Sequence, residues 1–181
     1  MAEQTPGATL GTSVPDFELQ TPFGDNHTTS SLMGKNGLLI AFICNHCPYV
    51  AGIADRLADD LHAVERMGIG TACIMSNDWE AYPADAPDRM KVFAAKHGLT
   101  CPYLIDADQS VARDFGAVCT PDFFGFNADG ELQYRGRIDD KGRDGPEGRV
   151  PELVDAMKLV AETGKGPEDQ TPSIGCSIKW R

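Results

Sequence analysis

Positive charge is scarce in this sequence. Lys and Arg number 16 against 27 Asp and Glu, a formal net charge of −11 over 181 residues. Such a surface repels nucleic acid and anionic membrane, so both are set aside as partners. The acidic residues are spread along the chain rather than blocked, as on an ordinary solvated surface. Long apolar runs are missing too: none approaches the roughly 20 residues that cross a bilayer. The opening MAEQTPGATLGTSVPDF has neither the basic start nor the apolar stretch of a signal peptide. A cytoplasmic chain is therefore expected. Structural disulfides are rare in that compartment, so the six cysteines (Cys44, Cys47, Cys73, Cys101, Cys119, Cys176) are expected reduced, with any disulfide transient and functional. There is no second Cys-x-x-Cys, and His27, His62 and His97 stand alone, which argues against a closed four-ligand zinc site. Asp106-Ala107-Asp108 and Asp139-Asp140 lack the twelve-residue loop ending in Glu that binds calcium, so turn and surface roles are expected. Linkers and repeats are absent as well. With 41% hydrophobic residues the chain can bury a core, and we expect one domain over 1–168 and a tail over 169–181 that packs back on it.

What is present is an alternation of strands and helices. Residues 1–13 read as a loose arm, and Val14–Leu19 alternates as a half-exposed strand does. Leu38–Ile43 and Ile69–Met75 are buried-type strands. Between them Ile53, Leu57, Leu61 and Val64 recur at helical spacing within Tyr49–Met67, and Gly68 closes the helix. Trp79–Asp88 reads mostly as loop, with Asp88 capping a helix over Arg89–His97. Tyr103–Ile105 is a short strand, Val111–Phe115 a helical turn or two, and Asp129-Gly130 joins strands at Phe123–Phe126 and Leu132–Ile138 as a hairpin. A last helix over Glu152–Glu162 stops at Gly164. The order implies an α/β chain with a central mixed β-sheet flanked by helices.

The chemistry gathers at FICNHCPYV, residues 42–50, where a buried strand runs straight into two thiols. A redox dithiol, a soft-metal site built on Cys44, His46 and Cys47, and two cysteines buried as small apolar residues all fit that pattern. Placement favours redox chemistry. Cys44 ends a strand and Cys47 enters the first turn of a helix, whose unpaired N–H groups stabilise a thiolate. Pro48 suits that first turn, and a protonated His46 would further favour a thiolate at Cys44.

With these residues in view, the chain resembles the thioredoxin-fold redoxins, the branch shared by peroxiredoxins (AhpC/TSA) and membrane-anchored thioredoxin-like reductases. LGTSVPDFEL is similar to the redoxin start, FICNHCPYV to the active-site turn, and LIDADQSVARDFGAVCTPDFFGFNADGELQYRGRID to the family's second half. The tail PSIGCSIKW looks like that of an uncharacterised thioredoxin-like subgroup. The resemblance implies a thiol–disulfide oxidoreductase without a cofactor or metal, acting on a protein or small-molecule thiol or disulfide. In it Cys44 is the nucleophile and Cys47 the resolving thiol. Thr120-Pro121 takes the place of the family's cis-proline, whose preceding residue offers backbone groups to an extended substrate. A histidine before the second cysteine is similar to strongly oxidising members and implies a potential above thioredoxin's roughly −270 mV. Cys119, next to Thr120, and Cys176, in the tail, are possible accessory thiols. Departures exist: Leu38 stands where thioredoxins bury an aspartate, and Ile43 where they carry tryptophan. A peroxiredoxin pattern would instead make Cys47 peroxidatic, but Cys44 replaces its threonine and its preceding proline is absent. Thiol peroxidase is thus the alternative activity, and soft-metal binding the alternative outside catalysis.

Overall fold

The run Gly37–Phe42 offers no polar side chain to solvent, so a strand made from it must be covered on both faces. In the computed structural model, which describes residues 1–181, all six of its residues are buried. The elements in chain order are β1 (Ala2–Gln4), β2 (Glu18–Gln20), β3 (Asn26–Thr28), α1 (Thr29–Leu32), β4 (Gly37–Phe42), α2 (Pro48–Ala51), α3 (Ala54–Glu65) and β5 (Ile69–Met75). They continue as α4 (Pro87–His97), β6 (Tyr103–Ile105), α5 (Ser110–Phe115), β7 (Cys119–Thr120), β8 (Asp122–Phe126), β9 (Leu132–Tyr134), α6 (Glu152–Thr163) and β10 (Ile174–Ser177).

Seven strands form one mixed sheet in the order β3-β2-β6-β5-β4-β8-β9, with β4 parallel to β5 and antiparallel to β8. Side chains alternate along β4. Leu39 and Ala41 face a core shared with α3, α4 and α6, while Leu38, Ile40 and Phe42 face a second core with α5. There Phe42, Phe115 and Phe124 meet edge-on, with ring centroids 5.3–5.7 Å apart. No helix is long and apolar enough to cross a membrane.

The structure departs from expectation in several places. The single helix expected over Tyr49–Met67 is broken at Gly52–Ile53 into α2 and α3, and the Gly52 carbonyl freed there accepts from Arg56 Nη1 at 2.7 Å. Asp88 does not cap α4; Pro87 opens that helix, as its preset φ and missing N–H favour. Strand β9 ends at Tyr134, short of Ile138. Asp139 is no surface residue: it is buried and paired with Arg56 at 2.6 Å and Arg149 at 3.4 Å. Asp106 is also buried, accepting from Ser76 Oγ and from the Val111 and Ala112 N–H groups that open α5.

The arm is not loose either. Ala2–Gln4 pairs with β10, and β10 pairs in turn with β7, so a three-stranded sheet β1-β10-β7 ties both ends of the chain to the middle. Past β10, Ile178 is buried against Phe115 and its neighbours, whereas Ile174 and Trp180 remain exposed. Gln109, in the left-handed region at φ 64, holds this end: its Nε2 donates to the Lys179 carbonyl at 2.8 Å and its Oε1 accepts from the Arg181 N–H at 2.9 Å. Truncating a buried Ile to Ala removes about 2–5 kcal/mol. We therefore expect Ile178→Ala to release the tail locally, with hydrogen exchange of the Ile174–Ser177 amides faster by on the order of tenfold or more. Unchanged protection there would show that the tail is held without Ile178.

Candidate active site

Strand β4 delivers the chain through buried Ile43 into the loop Cys44–Cys47, and α2 begins at Pro48. This placement makes Cys47, not Cys44, the residue at the helix start, in extended conformation at φ −71, ψ 124. Both thiols are out of solvent, Cys44 at 1% exposure and Cys47 at 0%. They meet over the Thr120–Pro121 segment, whose peptide bond is cis. Cys44 Sγ lies 3.3 Å from Thr120 Oγ1, and the Cys47 thiol can donate to the Thr120 carbonyl at 3.2 Å.

The two thiols act on each other, and their protons divide unequally. The Cys47 thiol is lowered from an ordinary 9.0 to about 4, chiefly because the Cys44 S–H donates to it; burial opposes the shift, while the Cys176 thiol and the Val50 and Cys176 N–H groups reinforce it. Several donors converge on this sulfur against one carbonyl, so the thiolate prevails. Cys44 moves the other way, pushed well up by that same hydrogen bond to Cys47, then by burial and by the charge of Asp85. The resemblance gave the nucleophile's place to Cys44; the donors that lower Cys47 favour the thiolate on Cys47.

Asp85 is the site residue that sequence reasoning passed over. It lies in a short 3-10 turn of the segment read as loop, fully buried. Its Oδ1 accepts from the Asn45 N–H at 2.7 Å and the His46 N–H at 3.3 Å; its Oδ2 accepts from His46 Nδ1 at 2.6 Å and Asn77 Nδ2 at 2.8 Å. The loop amides that could have served a Cys44 thiolate are thus spent on a carboxylate. His46, expected to favour that thiolate, is instead bound to Asp85 and stacked on Tyr82 at 5.6 Å, and the charge that acts on Cys44 is negative. Asp85 also brings a buried carboxylate to the dithiol from a turn, rather than from strand β4 where Leu38 stands.

Donor atoms of Cys44, His46 and Asp85 lie within 4.8 Å of one another. Asp85 already accepts four hydrogen bonds there, and the Cys44 thiol holds its proton firmly, so the cluster is matched internally rather than open to a cation. Cys119 is adjacent in sequence to Thr120, but successive side chains of a strand point to opposite faces, and Thr120 takes the face toward Cys44. The Cys119 thiol is buried and pushed up, first by that burial and then by Asp122. Cys73 and Cys101, both buried, are brought together with sulfurs 3.7 Å apart, and Cys73 is raised by its hydrogen bond to Cys101 and by burial.

The edge at Thr120, where an extended substrate was expected, carries β10 instead, with Cys176 opposite Thr120 and Ser177 opposite Cys119. A cleft of about 370 Å³ opens on the far side of Pro121, lined by Tyr49, Ile53, Arg137, Arg143 and Ser173 among others, but by neither Cys44 nor Cys47.

A sequence model described as the AhpC/TSA family matches residues 10–135. Among solved structures, the chain is similar to a hypothetical protein from Sinorhizobium meliloti, with 36% identity, a TM-score of 0.91 and 98% of each chain covered. It is equally similar to an uncharacterized conserved protein from Geobacillus kaustophilus, at 36% identity and TM-score 0.93, covering 100% of this chain and 97% of that one. Peroxidoxin BcpB from Mycobacterium tuberculosis shares the fold at 18% identity and TM-score 0.63, with 84% and 96% covered. A search of curated proteins returned no match.

Proposed function

The chain belongs to the AhpC/TSA family and has its α/β thioredoxin-like fold, and from that premise we propose that it is a thiol–disulfide oxidoreductase working through Cys44 and Cys47. The observation that carries this reading is the convergence of both thiols on the cis Thr120–Pro121 segment, with Cys44 Sγ 3.3 Å from Thr120 Oγ1 and Cys47 Sγ 3.2 Å from the Thr120 carbonyl. In the exchange, Cys47 sulfur bonds to one sulfur of a substrate disulfide and the other leaves as a thiol. Cys44 then gives up its proton, attacks Cys47 Sγ, and releases the second substrate thiol, leaving a Cys44–Cys47 disulfide. Asp85, within 4.8 Å of the Cys44 sulfur, is placed to accept that proton.

A stabilised thiolate stabilises the reduced form, so the midpoint is expected above roughly −270 mV. Such a pair rests reduced in a cytoplasmic glutathione pool, the setting we propose, and donates only to acceptors of still higher potential. That favours strained or exposed protein disulfides and mixed disulfides with small thiols over structural disulfides, which lie below about −300 mV. No cofactor takes part.

Peroxide reduction is the second reading, because the thiolate falls on Cys47, the place a peroxidatic cysteine would take. Against it, no Arg or Lys is among the groups that lower Cys47, and O–O cleavage leaves an anion that a cation would steady. Equilibration across glutathione buffers, with thiol trapping and mass spectrometry, separates the two. We expect a reversible Cys44–Cys47 disulfide with a midpoint above roughly −270 mV. Thiols that stay reduced there, with peroxide consumption that survives Cys44→Ser, would move the assignment to the peroxidase. Stoichiometric metal retained by the reduced protein would move it to the soft-metal reading.

A further inference from the structure

The proposed dithiol chemistry, on which this inference rests, meets an obstacle: neither Cys44 nor Cys47 is reachable from solvent. On the Cys47 side the chain's own tail closes over the site. Strand β10 occupies the Thr120 edge and packs against α2, whose N-cap is Cys47. The approach is close enough to require glycine, since a Cβ at Gly175 would lie 2.0 Å from the Thr120 carbonyl oxygen. Ser173 fastens the strand on one side, its Oγ donating to the Pro121 carbonyl at 2.8 Å. On the other side the Lys179 N–H donates to Asn77 Oδ1 at 2.9 Å and its carbonyl accepts from the Asp78 N–H at 2.8 Å. This register sets Cys176 opposite Thr120, whose carbonyl meets the Cys47 thiol at 3.2 Å, and Cys176 is the one cysteine of the six that is not buried.

We propose that Cys176 is a relay thiol, carried by a tethered strand that passes the disulfide between buried Cys47 and thiols outside. Starting from the Cys44–Cys47 disulfide, Cys176 loses its proton and attacks Cys47 Sγ. A Cys47–Cys176 bond forms, and Cys44 leaves as a thiolate and takes up a proton, so no electrons enter or leave. An external thiolate then attacks Cys176 Sγ and expels the Cys47 thiolate. A second external thiol attacks the mixed disulfide, freeing Cys176 and closing the external disulfide. The sum is one Cys44–Cys47 disulfide and two external thiols converted to a dithiol and one external disulfide. Run backward, the same steps load the buried pair from an external disulfide.

The charges follow the cycle. In the fully reduced protein Cys176 is pushed up to about 11, by burial first and then by its contact with the Cys47 thiolate, with Lys179 opposing. Once Cys47 is in a disulfide its negative charge is gone while Lys179 remains, so Cys176 releases its proton most readily in the state where it must attack. In the second step Cys47 is the better leaving group, because its thiolate is the stabilised one.

The test combines a trap with a rate. In Cys44→Ser, mild oxidation with glutathione disulfide should yield a Cys47–Cys176 link in most molecules, and adding Gly175→Val should remove that link by displacing the strand while leaving both sulfurs in the chain. In Cys176→Ser, reduction of the Cys44–Cys47 disulfide by glutathione should slow by about tenfold or more relative to the unaltered protein, because the one cysteine that is not buried is missing. Absence of the link in Cys44→Ser, or an unchanged rate in Cys176→Ser, overturns the relay while leaving the dithiol reading intact. Failure of Cys44 and Cys47 to pair in either the unaltered protein or Cys176→Ser overturns the dithiol reading, and the relay with it.

Discussion

Thiolate ultraviolet absorbance of the reduced protein should show one equivalent that persists through neutral pH and disappears on acidification with a midpoint near pH 4, and Cys47→Ser should abolish that step. The same substitution should end disulfide exchange altogether, since a serine hydroxyl forms no S–S bond. Cys44→Ala should leave the step in place but move its midpoint upward, because the Cys44 S–H is the largest of the effects that lower Cys47. The sign carries over to stability. Between the ordinary 9.0 and about 4 the folded Cys47 binds less proton than the unfolded one, so its contribution is complete above pH 9.0 and is lost as pH falls through about 4. An acid step that survives Cys47→Ser, or a single thiol ionising near its ordinary value, would remove the stabilised thiolate from the account.

The low value does not make Cys47 an unusually fast nucleophile. At pH 7, full ionisation raises the thiolate population about 10²-fold over an ordinary cysteine. Intrinsic nucleophilicity falls as pKa falls, with a coefficient of about 0.4–0.5, so a drop from 9.0 to about 4 costs about two powers of ten. The two effects nearly cancel in attack. In departure they do not, and a Cys47 disulfide is broken readily because the thiolate it releases is stable. On the proposed reading such a pair is expected to accept electrons easily and hold them, with a midpoint above thioredoxin's roughly −270 mV.

Much of this architecture was legible beforehand, and the reasons differ by element. Strands β4 and β5 announce themselves as unbroken apolar runs, and α6 and α4 end at Gly164 and Gly98, both left-handed. The place of Cys44 and Cys47 was legible too, as a strand emptying into two cysteines. The polarity of the pair was less so, although Pro48 marked Cys47 as the residue just outside the helix. Strand β1 left no trace in its pattern, since all three of its residues are exposed and its partner is some 170 positions away. The tail was expected to pack back on the domain, but what holds it, Ile178 and a set of polar contacts from Asn77 and Gln109, no local pattern reveals. Asp85 and Asp139 were hidden for a common reason. In a chain this acidic an aspartate in a turn looks solvated, and only tertiary folding shows that these two are enclosed by donors.

Asp85→Ala should be the most damaging single change near the site. The carboxylate accepts from two loop N–H groups, the His46 ring and the Asn77 amide, and Asn77 is itself buried. A hydrogen bond to a charged group contributes about 1.5–3 kcal/mol, and each buried donor left without a partner costs about 1–3 kcal/mol. With some relaxation of the loop the sum is about 3–5 kcal/mol, a large part of the about 5–15 kcal/mol that holds a domain together. Chemical unfolding should show it as a lower midpoint with an unchanged slope. Asp85→Asn separates the charge from the scaffold. Its carbonyl still accepts from Asn45 and His46 N–H, so the loop is kept, but the negative charge beside Cys44 is gone. The Cys44 thiol, held up by its hydrogen bond to Cys47, by burial and then by Asp85, should therefore ionise at lower pH in Asp85→Asn, moving the alkaline step of the absorbance titration downward. The Cys44–Cys47 disulfide should at the same time close more slowly from a mixed disulfide at Cys47, because the nearby carboxylate no longer accepts the Cys44 proton. An alkaline step that stays in place would mean that Asp85 only props the loop; faster closure would mean that its charge hinders Cys44 more than its basicity helps.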